Sequence, residues 1–117
     1  MWRRLRGDRA ERQAEDWLRR RGLRLVERNW SCRFGELDLV MHDDDSVVFV
    51  EVRLRTADGF GGGVASVDHH KQQRLLRAAA SWLAQHPDWQ AWPCRFDVVA
   101  FDGESGEPVW IRGAFEA

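Results

Sequence analysis

Gly35-Glu36-Leu37-Asp38-Leu39-Val40-Met41, the polar run Asp43-Asp44-Asp45-Ser46 and Val47-Val48-Phe49-Val50-Glu51-Val52-Arg53 decide how this chain folds. Both flanks are built of strand-favouring residues and a turn-forming cluster separates them, so the reading is a hairpin of Phe34 to Met41 with Val47 to Arg55. Centring it between Asp44 and Asp45 pairs Leu37 with Val52, Leu39 with Val50 and Met41 with Val48 on one apolar face. The other face then pairs Glu36 with Arg53, Asp38 with Glu51 and Val40 with Phe49. Directly opposed side chains have Cβ atoms roughly 4.5–5.5 Å apart, and like charges there repel. Two carboxylates so placed call for a cation between them, and a divalent metal ion is the usual one.

Outward from the hairpin the pattern is that of one mixed domain. Ala10, Ala14, Trp17 and Leu18 fall on one face of a helix from Gly7 to Arg21, which Gly22 ends. Leu23 to Trp30 reads as a strand leading into the hairpin. The glycine-rich stretch Thr56 to Gly63 reads as a loop, either a lid near a site or a plain connector. Ser66 or Asp68 caps a second helix reaching about His86, with Leu75, Leu76, Ala79, Trp82 and Leu83 inward and Pro87 ending it. Arg95 to Phe101 alternates as a further strand, Asp102 to Glu107 is a turn, and residues 108–112 form a short edge strand. The expectation is a single α+β domain over residues 1–117 with a core at about 7–101.

Net charge is −1, which argues against a uniformly basic nucleic-acid binder. The distribution is uneven: residues 1–33 hold eleven Arg against five acids, and the remainder seven cations against fourteen acids. A basic surface beside an acidic one suits a protein that holds a polyanion and a metal ion, although an Arg-rich helix with a solvated face has the same composition. Cys32 and Cys94 match no metal or redox spacing and read as reduced thiols. No signal peptide and no membrane-length apolar run occurs, so the expectation is a cytoplasmic protein with no membrane partner.

Glu36, Asp38 and Glu51 share the polar face of the hairpin, and Glu11 borders the apolar stripe of the first helix, from which it can reach the same cleft. Hard oxygen ligands of this kind suit Mg²⁺ or Mn²⁺. A solvent-facing strand with a Glu36–Arg53 ion pair fits the same residues, and spacing alone leaves both readings open. Adjacent His69 and His70 point to different sides of a helix and make a poor joint metal site. His42 and His86 read as surface residues. Trp17 and Trp82 fit helix core stripes, Trp89 and Trp92 invite either stacking on bases or packing, and Trp2 and Trp110 suggest no role.

Gly35-Glu36-Leu37-Asp38-Leu39-Val40 followed by Phe49-Val50-Glu51-Val52-Arg53-Leu54-Arg55 closely resembles the paired signatures of the YraN-like bacterial family. The resemblance extends in order through Gly7, Ala10-Glu11, Ala14, Trp17-Leu18, Arg28-Asn29-Trp30, Lys71 and Arg95-Phe96-Asp97-Val98. That family is similar to the PD-(D/E)XK nuclease superfamily, which includes archaeal Holliday junction resolvases. The resemblance implies a restriction-endonuclease-like core, α-β-β-β-α-β, with a mixed central sheet flanked by helices. It implies a Mg²⁺- or Mn²⁺-dependent endonuclease acting on DNA, including branched or repair intermediates, with Asp38, Glu51 and Glu11 as metal ligands. Arg53 stands where the superfamily carries a catalytic Lys; it can bind phosphate and stabilise charge, and Lys71 could compensate from the second helix, while the same change leaves a catalytically impaired nucleic-acid-binding module as the alternative. Arg3, Arg4, Arg6, Arg9 and Lys71 are then candidate DNA contacts, Glu36 and Arg55 supporting side chains, and a homodimer is compatible with this reading.

Overall fold

The computed structural model describes residues 2–54, 67–101 and 107–116, with side chains from residue 8 onward. Arg55, the glycine-rich stretch 56–63, Ser66, most of the 102–107 turn and the side chains of Arg3, Arg4 and Arg6 lie outside the described residues. The elements run α1 (Trp2–Arg19), β1 (Arg24–Cys32), β2 (Gly35–His42), β3 (Val47–Leu54), α2 (His69–Ala84), a 3-10 turn (Pro87–Trp89), β4 (Cys94–Phe101) and β5 (Val109–Phe115). Helix α1 starts before the expected Gly7 and β5 runs past the expected residue 112.

The five strands form one mixed sheet in the order β1-β2-β3-β4-β5, parallel only between β3 and β4. Parallel neighbours need a long crossover, and α2 lies within it. Asp43 Oδ1 accepts the amides of Asp45 and Ser46 at 2.8 and 2.7 Å and closes the β2–β3 turn. That turn sets the register expected from the sequence: His42 with Val47, Met41 with Val48, Val40 with Phe49 and Leu39 with Val50.

Each sheet face carries a helix. Ala14 and Leu18 of α1 pack on Leu39, Met41, Val48, Val50 and Val99, while Leu75, Ala79 and Trp82 of α2 pack on Val40, Phe49, Phe96 and Val98. Asp68 caps α2 by accepting the Lys71 amide. Fully buried Asp97 accepts from Arg95 Nε, Trp110 Nε1 and the Gly113 amide at 2.9–3.0 Å, so Trp110, to which the sequence suggested no role, helps tie β5 to β4.

The hairpin departs from expectation at its open end. The β2–β3 ladder stops at Leu39 and Val50, so the expected pairs Asp38–Glu51, Leu37–Val52 and Glu36–Arg53 do not form as ladder pairs. Leu37 packs with Val40 and Phe49 on the α2 side instead of sharing a face with Leu39. Strict alternation fails between Leu37 and Leu39, beyond the last β2–β3 pair. On the other side of β2 the ladder runs from Arg28–Leu39 to Trp30–Leu37, so Asn29 stands opposite Asp38. Asn29 has φ +51°, the only positive φ among described residues other than glycine.

Candidate functional site

The parting of β2 and β3 makes a fork, and Asp38 sits in it. Its Oδ2 accepts the Val52 amide at 2.9 Å, so the side chain takes the hydrogen bond that a continued ladder would have used. Asp38 and Glu51, the latter on β3, line one cleft. Burial first, and the Glu51 charge second, push the Asp38 carboxyl up to about 8. Glu51 is only 7 % exposed, and its Oε2 is 2.8 Å from Lys71 Nζ.

Glu11 reaches the fork from α1. Burial, followed by repulsion from Asp8, raises its carboxyl to about 6, and the polar Asn29 side chain acts in the opposite sense. Its Oε1 is buried and lacks a hydrogen-bond partner. An orphaned carboxylate oxygen beside two crowded carboxyls is the arrangement that a hard cation and its water shell would complete. Among the described residues no three His, Cys, Asp or Glu side chains converge tightly enough to cage a metal by themselves. A Mg²⁺ held by one or two carboxylates, with waters filling the remaining positions, needs no such cage.

On the α2 side the fork opens into a cleft of about 280 Å³ lined by Glu36, Asp38, Glu51, Lys71 and Arg74, with Gly35 at its rim. The expected site residues Asp38, Glu51 and Glu11 are thus neighbours, and Glu36 joins them at the exposed edge. Arg53 is half-buried on β3, two residues past Glu51, but does not line this cleft and has no ion pair among the described residues. Arg9 is exposed on α1.

Of the roles the sequence leaves open to Lys71, compensation for the lysine missing at position 53, DNA contact or solvent exposure, its place against Glu51 agrees with the first. Asn29 enters the sequence reading only as part of a motif, and an Asn flanked by Arg and Trp within a strand is its signal.

The remaining candidates are structural. His42 is not a free surface residue, since its ring packs against Trp89 and Trp92 with centroids 5.0 and 5.9 Å away. His86 stacks on Trp82 at 3.9 Å and lies 3.4 Å from Glu27, which also accepts from Trp82 Nε1. His69 and His70 are exposed at the start of α2. Cys32 and Cys94 are free. Among the described residues no helix is long and apolar enough to cross a membrane.

Known proteins are similar to this chain along most of its length. A protein from Alkalilimnicola ehrlichii named UPF0102 protein is 55 % identical across 95 % of this chain and 86 % of its own length. Relatives of the same designation from Pseudomonas putida and Stutzerimonas stutzeri are 53 % and 55 % identical, covering 94 % and 95 % of this chain and 92 % and 94 % of theirs. The family described as "Uncharacterised protein family UPF0102" matches residues 10–101, a span that runs from α1 through β4 and includes Glu11, Asp38, Glu51 and Lys71, and the chain belongs to that family.

Proposed function

We propose that this protein is a divalent-metal-dependent nuclease that hydrolyses DNA phosphodiester bonds on a restriction-endonuclease-like core, as in the PD-(D/E)XK superfamily. The observation that carries the reading is the fork itself: Asp38, Glu51 and Glu11 crowd at the point where two strands part, with Lys71 Nζ 2.8 Å from Glu51. Structural acids are seldom left with raised pKa values and an orphaned oxygen in a cleft, whereas functional ones often are. The α-β-β-β-α-β order with a mixed sheet agrees with the same reading.

Asp38 and Glu51 would hold Mg²⁺ or Mn²⁺, with Glu11 accepting from its water shell. Bound there, the ion supplies charge neutralisation at the phosphate and a more acidic water. The protein's own residues do the rest. Lys71 presents an ammonium at the cleft wall, where it donates to a phosphate oxygen or orients the attacking water. Water oxygen bonds to phosphorus, the ester bond to one sugar oxygen breaks, and that oxygen leaves with a proton. Lys71 thereby takes the place of the strand lysine for which this chain has Arg53. Branched and repair intermediates are the substrates to test first, and the basic start of α1, with Arg3, Arg4, Arg6 and Arg9, is a candidate surface for the flanking backbone.

Arg53 favours a second reading, a DNA-binding module that has lost catalysis. Single-turnover cleavage of linear, single-stranded and branched DNA in Mg²⁺ or Mn²⁺, with Glu51→Ala as control, decides between them. The nuclease reading expects wild-type cleavage that Glu51→Ala abolishes. Binding without cleavage supports the second reading, and neither binding nor cleavage defeats both.

A further inference from the structure

Few of the described arginines are paired, and Arg9, Arg12, Arg20, Arg24, Arg53 and Arg112 have no carboxylate partner among the described residues. Arg19, Arg21, Arg28 and Arg95 each close an ion pair with a carboxylate. Among the described residues, Arg33, Arg74 and Arg77 have no such partner, and all three are exposed. Helix α2 contains Lys71, Arg74 and Arg77 and no acid at all. His70, Arg74 and Arg77 recur at i, i+4 and i+7, so they form one stripe on its solvent side.

This stripe is joined to the cleft. Arg74 lines the cleft beside Lys71. Gly35, which begins β2, lies so close to α2 that a Cβ there would stand 3.7 Å from Arg74 Cβ. The β1–β2 turn therefore abuts α2 at Arg74, and it carries Arg33, whose guanidinium lies over the Phe34 ring. Unpaired positive charge thus begins at Arg74 on the α2 wall of a cleft that Glu36, Asp38 and Glu51 also line, and continues along α2 to Arg77. A polyanion is repelled by those carboxylates and held by those cations, so the cations must supply the sequence-independent affinity. From residue 70 to 77 the stripe spans about 10 Å, the rise of roughly three nucleotides of a B-form strand.

We infer that Arg33, Arg74 and Arg77 form a phosphate-binding track that leads one strand of nucleic-acid backbone along α2 into the Lys71–Glu51 cleft. This rests on the nuclease reading and assigns the strand's path. The track contacts phosphates, so it discriminates charge and not base sequence.

Fluorescence anisotropy with two duplexes of unrelated sequence, in Ca²⁺ across a salt series, tests the track. Arg74→Ala/Arg77→Ala should reduce the slope of log affinity against log salt by about 1.8, at roughly 0.9 per phosphate contact, equally for both duplexes. Arg74→Lys/Arg77→Lys should keep the wild-type slope. Arg20→Ala/Arg24→Ala, exposed positions away from the cleft, should also keep it. An unchanged slope in the double alanine variant, or a loss confined to one duplex, overturns the track. Wild type that shows no salt-dependent binding overturns it too, and the response of its melting temperature to Mn²⁺ then tells whether the metal site fails with it or stands alone.

Discussion

Lys71 Nζ lies 2.8 Å from Glu51 Oε2, so the single lysine of this chain closes the carboxylate fork from the facing helix. Glu51 is nearly buried, while the Lys71 side chain is 40 % exposed. The ammonium can therefore leave the carboxylate for a phosphate without being stranded in an apolar medium.

This pairing makes Lys71, and not Arg53, the cation on which cleavage depends. Lys71→Met should lower the single-turnover rate by about 100-fold or more, within the usual range for a group that moves or orients a proton. Arg53→Ala should cost less than about tenfold. Equal loss from both substitutions, or none from Lys71→Met, would remove the lysine from its assigned role.

Metal binding should be visible without catalysis. Binding to the folded state alone stabilises it by about 2.7 kcal/mol at one hundred times the dissociation constant. Wild type should melt higher in excess Mn²⁺, and Asp38→Ala should not respond. Thermal melts of the two proteins with and without the ion measure this directly, and matching responses would refute the assignment.

Stability in EDTA should fall as pH rises. The folded-state pKa of Asp38, raised to about 8 from 3.8 by burial and then by Glu51, exceeds its unfolded value, so protonation favours the fold. That contribution is complete below about pH 4 and is lost as pH climbs through about 8. Glu11, raised to about 6, acts in the same sense. Glu15 and Asp43, held low chiefly by their hydrogen bonds, act oppositely but only in more acidic solution. Asp38→Asn should flatten the slope and be more stable than wild type at pH 8 by at least ~1 kcal/mol, about 4–8 °C in Tm for a domain of this size. Parallel pH profiles in chemical denaturation would contradict this.

Asn29 should separate backbone strain from the effect of its polar side chain. A side chain with a Cβ in the left-handed region costs roughly 1–2 kcal/mol, which Asn tolerates better than most and Gly avoids. Asn29→Ala should therefore destabilise by about 1 kcal/mol, while Asn29→Gly should hold wild-type stability. Both remove the Asn29 side chain, whose polar group favours the charged form of Glu11, so both should bind Mn²⁺ more weakly. Denaturant midpoints and Mn²⁺ titrations measure the two effects separately; a glycine variant with wild-type metal affinity would leave Asn29 a purely structural residue.

Sequence by itself determined the hairpin and its register, because apolar runs flank a turn whose Asp43 side chain binds the amides of Asp45 and Ser46, and a slip of one residue would turn every side chain to the opposite face. It likewise determined both helices, through stripes such as Ala10-Ala14-Leu18 and Leu75-Ala79-Trp82, and it brought Asp38 and Glu51 to one end of the hairpin, although the direct pair it expected does not form. Where β2 leaves β3 was decided only in three dimensions. Alternation assumes a continuing ladder, and the break at Leu39–Val50, beside the positive φ of Asn29, turns Leu37 to the opposite core and leaves Asp38 in the fork. The docking of α2 decided the role of Lys71, since packing of Leu75 and Trp82 on the sheet fixes where the first turn of that helix falls. Contacts within a strand or helix repeat with a period that sequence displays; contacts between elements far apart in the chain depend on packing, which has no such period.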